Sequence, residues 1–222
     1  MKNRLIITYE LLSERGVLFV NIDENETGTF LMLCQEIFGE KNVDVLIWPK
    51  TDSRFDTNRV EKPFRDIKIV HEYIFVCFKN RDKIQLNQIM QPIFKDGCRV
   101  DSASTLESII KGLGTTSSAK DEIGEIFGDR LFFQTPKPMR LLKELIRSVS
   151  KPDSIILDFF AGSGTTGHAT MDINREDGGK RQFILVNNNE NDICRKITYE
   201  RIKRVINKEN YEESLKFYQI KC

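Results

Sequence analysis

The sequence predicts an α/β protein of the doubly wound class, and three observations carry that prediction. Short apolar runs rich in β-branched residues alternate with stretches at helical period along most of the 222 residues. One such run, Ser154-Ile-Ile-Leu-Asp158, passes directly into Phe-Phe160-Ala161-Gly162-Ser163-Gly164-Thr165-Thr166-Gly167-His168. Its glycines have G-x-G-x-x-G spacing, and residues 169–173 follow at helical phase, as in a nucleotide-binding strand–loop–helix unit. Finally, a second strand-like run, Gln182-Phe-Ile-Leu-Val186, arrives at the distance a crossover helix needs.

The remaining elements follow in order. Residues 4–13 read as an amphipathic helix with apolar positions 5, 6, 7, 11 and 12; Gly16 breaks it, and Val17-Leu-Phe-Val-Asn-Ile22 is a buried strand. Residues 26–38 form the next helix, with Gly39 as its stop. Strands at 43–49 and 72–79 flank a polar loop, 50–66, with few apolar anchors. Residues 82–130 hold short apolar islands separated by Pro92, Gly97, Gly112, Gly114, Gly124 and Gly128, with a helix predicted at 104–111. A helix over 138–149, with Leu141, Leu142 and Leu145 on one side, leads through Lys151-Pro152 into the strand before the glycines. After Val186 the turn Asn187-Asn188-Asn189 opens a long helix predicted at 191–207, and strand pattern returns from residue 215.

Composition sets wide bounds. With 40% hydrophobic and 30% charged residues, the chain has material for one core, or one core plus an insertion. No apolar run approaches the ~18 residues of a membrane span, and the N-terminus does not read as a signal peptide. Five cysteines, an odd number with no C-x-x-C, point to a reduced, cytoplasmic compartment. The two histidines, His71 and His168, lie far apart in sequence and lend a metal site no support.

Three ligand classes compete for the glycine loop. Gly162 and Gly167 have P-loop spacing, but His168 and Ala169 stand where the lysine and hydroxyl must be. The dinucleotide reading wants an acid at the end of the next strand to hold a ribose, and here Asn187-Asn188-Asn189 intervene before Glu190. The third ligand is S-adenosylmethionine. Asp158-Phe-Phe160-Ala161-Gly162-Ser163-Gly164-Thr165-Thr166 resembles the D-x-F-x-G-S-G-T-T cofactor motif of amino-group DNA methyltransferases. Thr135-Pro-Lys137-Pro138 resembles the T-x-K-P segment that precedes the loop in the enzymes of that group whose catalytic motif is N-terminal to it. Further patches, at 11–26, 71–79, 177–186 and 197–203, resemble the modification (Mod) subunits of type III restriction-modification systems, in that family's order.

The resemblance implies a Rossmann-like S-adenosylmethionine-dependent fold and adenine-N6 methylation of double-stranded DNA, with a restriction (Res) subunit as partner. It also implies an Asp-Pro-Pro-Tyr tetrapeptide that holds a flipped adenine, because the target nitrogen is out of reach inside a stacked duplex. The six prolines, at 49, 63, 92, 136, 138 and 152, include no adjacent pair, so the tetrapeptide is absent. In the family it lies upstream of the segment that residues 1–13 resemble. The expectation is therefore a fragment, inactive alone, whose sheet is incomplete because the central strand is missing. That gap would leave two strand edges unpaired. The missing half would come from a separately encoded N-terminal chain or a second methyltransferase chain. On this reading residues 1–81 are the remnant of the catalytic half. Residues 82–130 are a small target-recognition-like insertion or a plain helical hairpin, and 131–222 are the cofactor half.

By resemblance, the cofactor-binding set is Thr135, Lys137, Pro138, Asp158, Phe160, Ala161, Gly162, Ser163, Gly164, Thr165, Thr166 and Glu190. Several of these have plainer readings. Asp158 either lies against the cofactor or organises the loop's amides; Phe160 either lies beside the cofactor or fills core. Lys137 is a carboxylate partner or an exposed lysine. Glu190 binds ribose hydroxyls or sits as an acid in the first turn of the next helix. A net charge of +1 is weak for holding DNA. Residues 50–99, however, hold eleven Lys/Arg against seven Asp/Glu, with Lys50, Arg54, Arg59, Lys62, Arg65 and Lys68 recurring every three to six residues. That strip is a solvated loop face or a track for a DNA backbone. Against the methyltransferase reading stand a catalytically dead binding module and a degenerate gene remnant.

Overall fold

The computed structural model describes residues 1–51, 69–96, 98–188 and 190–219. It divides into two compact units, Met1–Leu113 and Gly114–Cys222. Residues 82–130 are thus shared between the units.

In the first unit, helix α1 (Lys2–Leu11) buries Leu5 and Thr8 and is followed by strand β1 (Val17–Ile22). Helix α2 (Thr27–Phe38) buries Phe30, Cys34 and Phe38, the i, i+4, i+8 stripe that lines one helical face. Tyr9 meets Phe38 edge-on at 5.2 Å between ring centres, which docks α1 on α2. Strands β1 and β2 (Val43–Pro49) both run antiparallel to β3 (His71–Phe78), giving the order β1-β3-β2, with Leu18 opposite Cys77 and Leu46 opposite Ile74. As the central strand β3 is apolar throughout its buried stretch, Ile74, Phe75, Val76, Cys77 and Phe78. The ring of Phe30 stands edge-on to Phe75 at 4.9 Å and fixes α2 over the sheet.

The helix predicted at 104–111 does not form. Strands β4 (Ile89–Lys95) and β5 (Cys98–Ser104) make a hairpin that ends at Ser104, and the chain beyond it is extended. Ile47 N–H donates to the Ser108 carbonyl at 2.7 Å, and Ile110 N–H donates to the Ile47 carbonyl at 2.9 Å. The apolar residues that suggested a helical stripe are used instead at a sheet edge, with Ile110 and Leu113 buried. Pairing with a distant strand overrides the local period. Residues 52–66 of the polar loop and the basic residues Arg54, Arg59, Lys62, Arg65 and Lys68 lie outside the described residues, which resume at 69.

The second unit holds α3 (Thr116–Phe127), α4 (Met139–Val149), β6 (Ile155–Asp158), α5 (Thr165–Asp177), β7 (Gln182–Leu185) and α6 (Glu200–Glu209). Strands β6 and β7 are parallel, Ile155 opposite Gln182 and Asp158 opposite Leu185, with α5 as the crossover. A Cβ added at Gly167 would stand 2.8 Å from Ile202 Cδ1 and 3.0 Å from Leu185 Cδ1. The third glycine of the motif therefore lets α5 lie close to the strand and to α6. Met171, Ile202, Val205 and Tyr211 form one core cluster, and Ile146, Ala169 and Ile173 form another between α4 and α5.

Two predicted elements differ here. The single helix expected over 191–207 is a 3₁₀ turn (Glu190–Asp192), then a π-helical turn (Cys194–Tyr199), then α6. Asn191 and Asp192 break its start with positive φ of 52° and 60°, a conformation that short polar side chains tolerate. The strand expected from 215 is absent among the described residues. Tyr211 and Leu215 instead place their side chains against the cluster on α5 and α6.

Among the described residues β1 pairs with β3 alone, as an edge of the first unit's three-stranded sheet, and β6 pairs with β7 alone in the second unit. One face of the β6–β7 pair is also bare: Ile155, Leu157, Ile184 and Val186 are all exposed.

Candidate functional site

The glycine loop leaves the end of β6 and is held at both ends by one carboxylate. Asp158 Oδ1 accepts the Phe160 N–H at 3.0 Å, and Oδ2 accepts the Thr166 hydroxyl at 2.5 Å. Asp158 thus organises the loop, whether or not it also lies against a ligand. Next, the Ala161 N–H donates to the Val186 carbonyl at 3.2 Å, and the Gly164 N–H turns back to the Ala161 carbonyl at 2.7 Å. Gly162 and Gly164 have φ of +49° and +79°, which residues with a Cβ rarely adopt. A Cβ on Gly164 would also come within 3.2 Å of the Thr198 carbonyl oxygen. The loop thereby delivers the first turn of α5, with its unpaired amides and partial positive charge, to the end of the sheet.

Side chains that the sequence reading did not single out complete the cradle. Asn187, the second residue past β7, accepts the Gly162 N–H on Oδ1 at 3.1 Å and donates from Nδ2 to Thr198 Oγ1 at 2.6 Å. The Thr198 hydroxyl donates to the Gly162 carbonyl at 2.7 Å. Thr198 reaches the loop from the π-helical turn, a departure from regular helix that often marks functional sites. Ser163 and Thr165 are buried with their hydroxyls 3.0 Å apart, and Arg201 Nη1 donates to both, at 3.2 and 2.8 Å. The signal for Asn187 was present in the polar turn right after β7. Thr198 and Arg201 lie in the 197–203 patch that resembles Mod subunits, but their role gave no signal, because they lie more than thirty residues beyond the loop on what reads as one ordinary helix.

The structure brings some predicted residues to the loop and leaves others outside it. The Phe133 ring, two residues before Thr135, lies 3.4 Å from where a Gly162 Cβ would be. Thr135 is exposed, Lys137 half-buried and Pro138 buried. Phe160 is 57% exposed, a large aromatic at the mouth of the loop rather than in the core. Glu190 is exposed in its 3₁₀ turn, its N–H donating to Asn188 Oδ1 at 3.4 Å. It matches the acid-in-the-first-turn reading as closely as the ribose one. His168, where a P-loop has lysine, is buried; burial and the Arg201 charge lower its pKa to about 4. It is neutral at pH 7 and offers a phosphate no charge.

Several cations from the basic stretch of the first unit are committed elsewhere. Lys79 donates to the Tyr9 carbonyl, Arg81 to Asp44, Lys83 to Glu14 at 2.6 Å, and Arg99 to the Gly112 carbonyl at 3.0 Å. Lys50 Nζ stands 3.8 Å from Glu72. These contacts fit structural roles for the described part of the strip.

The StyLTI Mod subunit of a type III restriction-modification enzyme from Salmonella typhimurium is 27% identical over 92% of the chain, and the match covers 43% of that protein. The EcoPI Mod subunit of Escherichia phage P1 is 25% identical over 84% of the chain and 44% of its own length. The type II methyltransferase M.KpnI of Klebsiella pneumoniae is 49% identical over 74 residues, 33% of the chain and 18% of the relative. The chain spans less than half the length of these three relatives. In fold, it is similar to the M1.HpyAVI–SAM complex, with TM-score 0.53 and 16% identity, over 91% of this chain and 82% of that one. It is also similar to the cytosine-N4-specific PvuII DNA methyltransferase, with TM-score 0.54 and 13% identity, over 90% and 67%. The profile of the N6/N4 DNA methylase family matches residues 1–208, and the chain belongs to that family.

Proposed function

We propose that this chain carries the S-adenosylmethionine site of a type III Mod-like adenine-N6 DNA methyltransferase, and that the acceptor chemistry is supplied by another polypeptide segment. One observation carries the cofactor assignment. The loop at the end of β6 is built without side chains at its two positive-φ positions, presents the first turn of α5, and is clamped by Asp158. These features fit S-adenosylmethionine. Loop residues 161–164 and the amides of Thr165 and Thr166 would face its polar end, with Phe160 flanking them and Glu190 and the Thr135–Pro138 stretch at the rim. When bound, the cofactor supplies an electrophilic methyl group on a sulfonium. The chain's own residues bind and orient it.

The absence of Asp-Pro-Pro-Tyr supports the second half of the proposal, as do the unpaired edge of β6 and the bare face of Ile155, Leu157, Ile184 and Val186. A sheet edge and an apolar face of this kind suit completion by a further strand and its helix. Double-stranded DNA and a restriction subunit are the proposed partners of the completed enzyme. Its compartment is proposed as the cytoplasm, in keeping with Cys34, Cys77, Cys98 and Cys194 all being free. No described helix is long and apolar enough to cross a membrane.

The test is calorimetric titration of the purified chain with S-adenosylmethionine, paired with a methyl-transfer assay on duplex DNA. Binding without transfer is the expected result. No binding overturns the cofactor assignment, whereas turnover by the chain alone overturns the division of labour.

A further inference from the structure

An ion pair between buried Arg201 and partly exposed Glu122 links the glycine loop to the start of α4, and neither member belongs to the motif. Arg201 on α6 is fully buried. Its Nη1 donates to the hydroxyls of Ser163 and Thr165, while its Nη2 lies 3.7 Å from Glu122 Oε2 on α3. Glu122 in turn accepts the Met139 N–H on both oxygens, at 3.2 and 3.0 Å. Met139 opens α4 and directly follows Pro138. Four segments therefore share one charged junction: 162–166, α6, α3 and 135–139.

Burying a guanidinium costs more than burying an apolar side chain of its size unless well-placed partners offset it, and here Nε and Nη2 have no hydrogen-bond partner among the described residues while Nη1 has two. The hydrogen bonds made by Arg201 fall on two hydroxyls of the cofactor loop, and its charge partner holds the other segment assigned to the cofactor. We propose that Arg201 and Glu122 are positioning residues of the cofactor site. Arg201 fixes the loop over 162–166, and Glu122 fixes both the guanidinium and the start of α4. The two segments are thereby set in one frame before the ligand arrives. Prior ordering of this kind lowers what binding must spend on immobilising loops. The inference rests on the S-adenosylmethionine reading for its ligand, but not for its geometry.

The experiment uses the full chain and the variants Arg201→Met, Arg201→Lys, Glu122→Gln, Thr165→Val and Arg201→Met/Thr165→Val. Hydrogen exchange of the amides of 162–166 is measured without cofactor, alongside calorimetric affinity for S-adenosylmethionine. In Arg201→Met the loop amides exchange faster while the α5 interior keeps its protection, and Kd rises on the order of tenfold or more, the loss of a hydrogen bond to a charged group. Thr165→Val reproduces part of that effect, and adding it to Arg201→Met produces no further rise. Glu122→Gln keeps an acceptor for Met139 but removes the charge, and its effect is intermediate.

Loop exchange unchanged in Arg201→Met overturns the proposal, as do multiplicative Kd effects in the double variant. Uniform loss of protection across α5 and α6 would make Arg201 merely structural and also overturns it. Should Arg201→Met fail to fold, Arg201→Lys carries the same test, because it keeps the charge but its single nitrogen cannot reach both the two hydroxyls and Glu122 as Nη1 and Nη2 do. A wild-type chain that binds no S-adenosylmethionine, yet shows Arg201-dependent loop protection, overturns the cofactor reading and supports the positioning role.

Discussion

Replacing Gly164 with alanine separates two costs that the loop imposes, and a matched control makes each measurable. Gly164 has φ +79°, and an L-residue held there costs about 1–2 kcal/mol. A Cβ would also stand 3.2 Å from both Thr198 Cγ2 and the Thr198 carbonyl oxygen. The methyl can turn aside, but the carbonyl belongs to the π-helical turn that holds the loop, and overpacking of this kind costs about 1–3 kcal/mol. Alanine's stiffer unfolded chain offsets about 0.4–1 kcal/mol of the total. The net expectation for Gly164→Ala is about 2–3 kcal/mol of lost stability in the second unit. Gly128 has nearly the same φ, +83°, but nothing within 4 Å of its added Cβ. Gly128→Ala therefore bears the backbone cost alone, about 1 kcal/mol or less after the same offset. Urea unfolding followed by far-ultraviolet circular dichroism reports both midpoints. Fluorescence would not serve, because the single tryptophan, Trp48, belongs to the first unit. Equal midpoints for the two variants at equal slope would refute the claim that Thr198 braces the loop.

Asp158→Asn weakens both bonds to the loop and lowers S-adenosylmethionine affinity about 10- to 100-fold by calorimetry, as expected for charge-assisted hydrogen bonds. Thr166→Val, which leaves the carboxylate in place, should show less than half of that effect in free energy. Thr115→Ala removes the capping box in which Thr115 and Ser118 exchange side-chain to backbone bonds, and lowers stability by about 1 kcal/mol in the same urea assay. Asp172 gives the second unit an acid limb. Burial raises its pKa, but the Lys143 bond at 2.6 Å, the Tyr211 hydroxyl at 3.1 Å and Arg175 together bring it below its ordinary value. Its contribution is present above the unfolded carboxylate pKa of about 4 and is lost as pH falls through the lower folded value. Thermal unfolding against pH should therefore show an acid decline that Asp172→Asn flattens; a decline of undiminished slope would assign it to other carboxylates. Lys143→Met removes one charge-assisted bond to Asp172 while Arg175 and the Tyr211 hydroxyl remain, and costs about 2 kcal/mol at neutral pH, read from the urea midpoint.

Where the chain order matched a single local period, its elements were legible. Strands β1 and β2 fall on the residues that the apolar runs predicted, and α2, α4, β6 and β7 within a residue or two. The failures share a cause. Residues 104–111 carry a short apolar pattern compatible with a helix, but Ile47 claims the backbone of Ser108 and Ile110. No window of eight residues contains that partner. The helix expected over 191–207 broke because Thr198 must face the glycine loop, which a continuous α-helix starting at 191 did not provide. Of the site, the loop itself and Asp158 were readable as a spacing of residue types. Asn187 was half readable, as a polar turn in the right place. The charged junction of Glu122 and Arg201 was not readable, since its members are separated by 79 positions and each sits on an amphipathic helix among similar residues.

The placement of Asp158 bears on how such a loop can bind a ligand at all. A carboxylate that ends a strand beside a cofactor has two uses, contact with the ligand or control of the loop, and here both oxygens are engaged by the loop. Each oxygen still has a second lone pair, so engagement does not exclude a ligand contact. It does change the meaning of one. The bonds to Phe160 N–H and the Thr166 hydroxyl fix the carboxylate's direction before anything binds. On the far side, Asn187 and Thr198 hold Gly162, and Arg201 holds Ser163 and Thr165. The loop's conformation is thus held by β6, the turn after β7, the π-helical turn and α6, and the first-turn amides of α5 are set in place with it. Affinity in such a site comes from ordering that folding has already supplied, so substitutions behind the loop should weaken binding as much as substitutions in it.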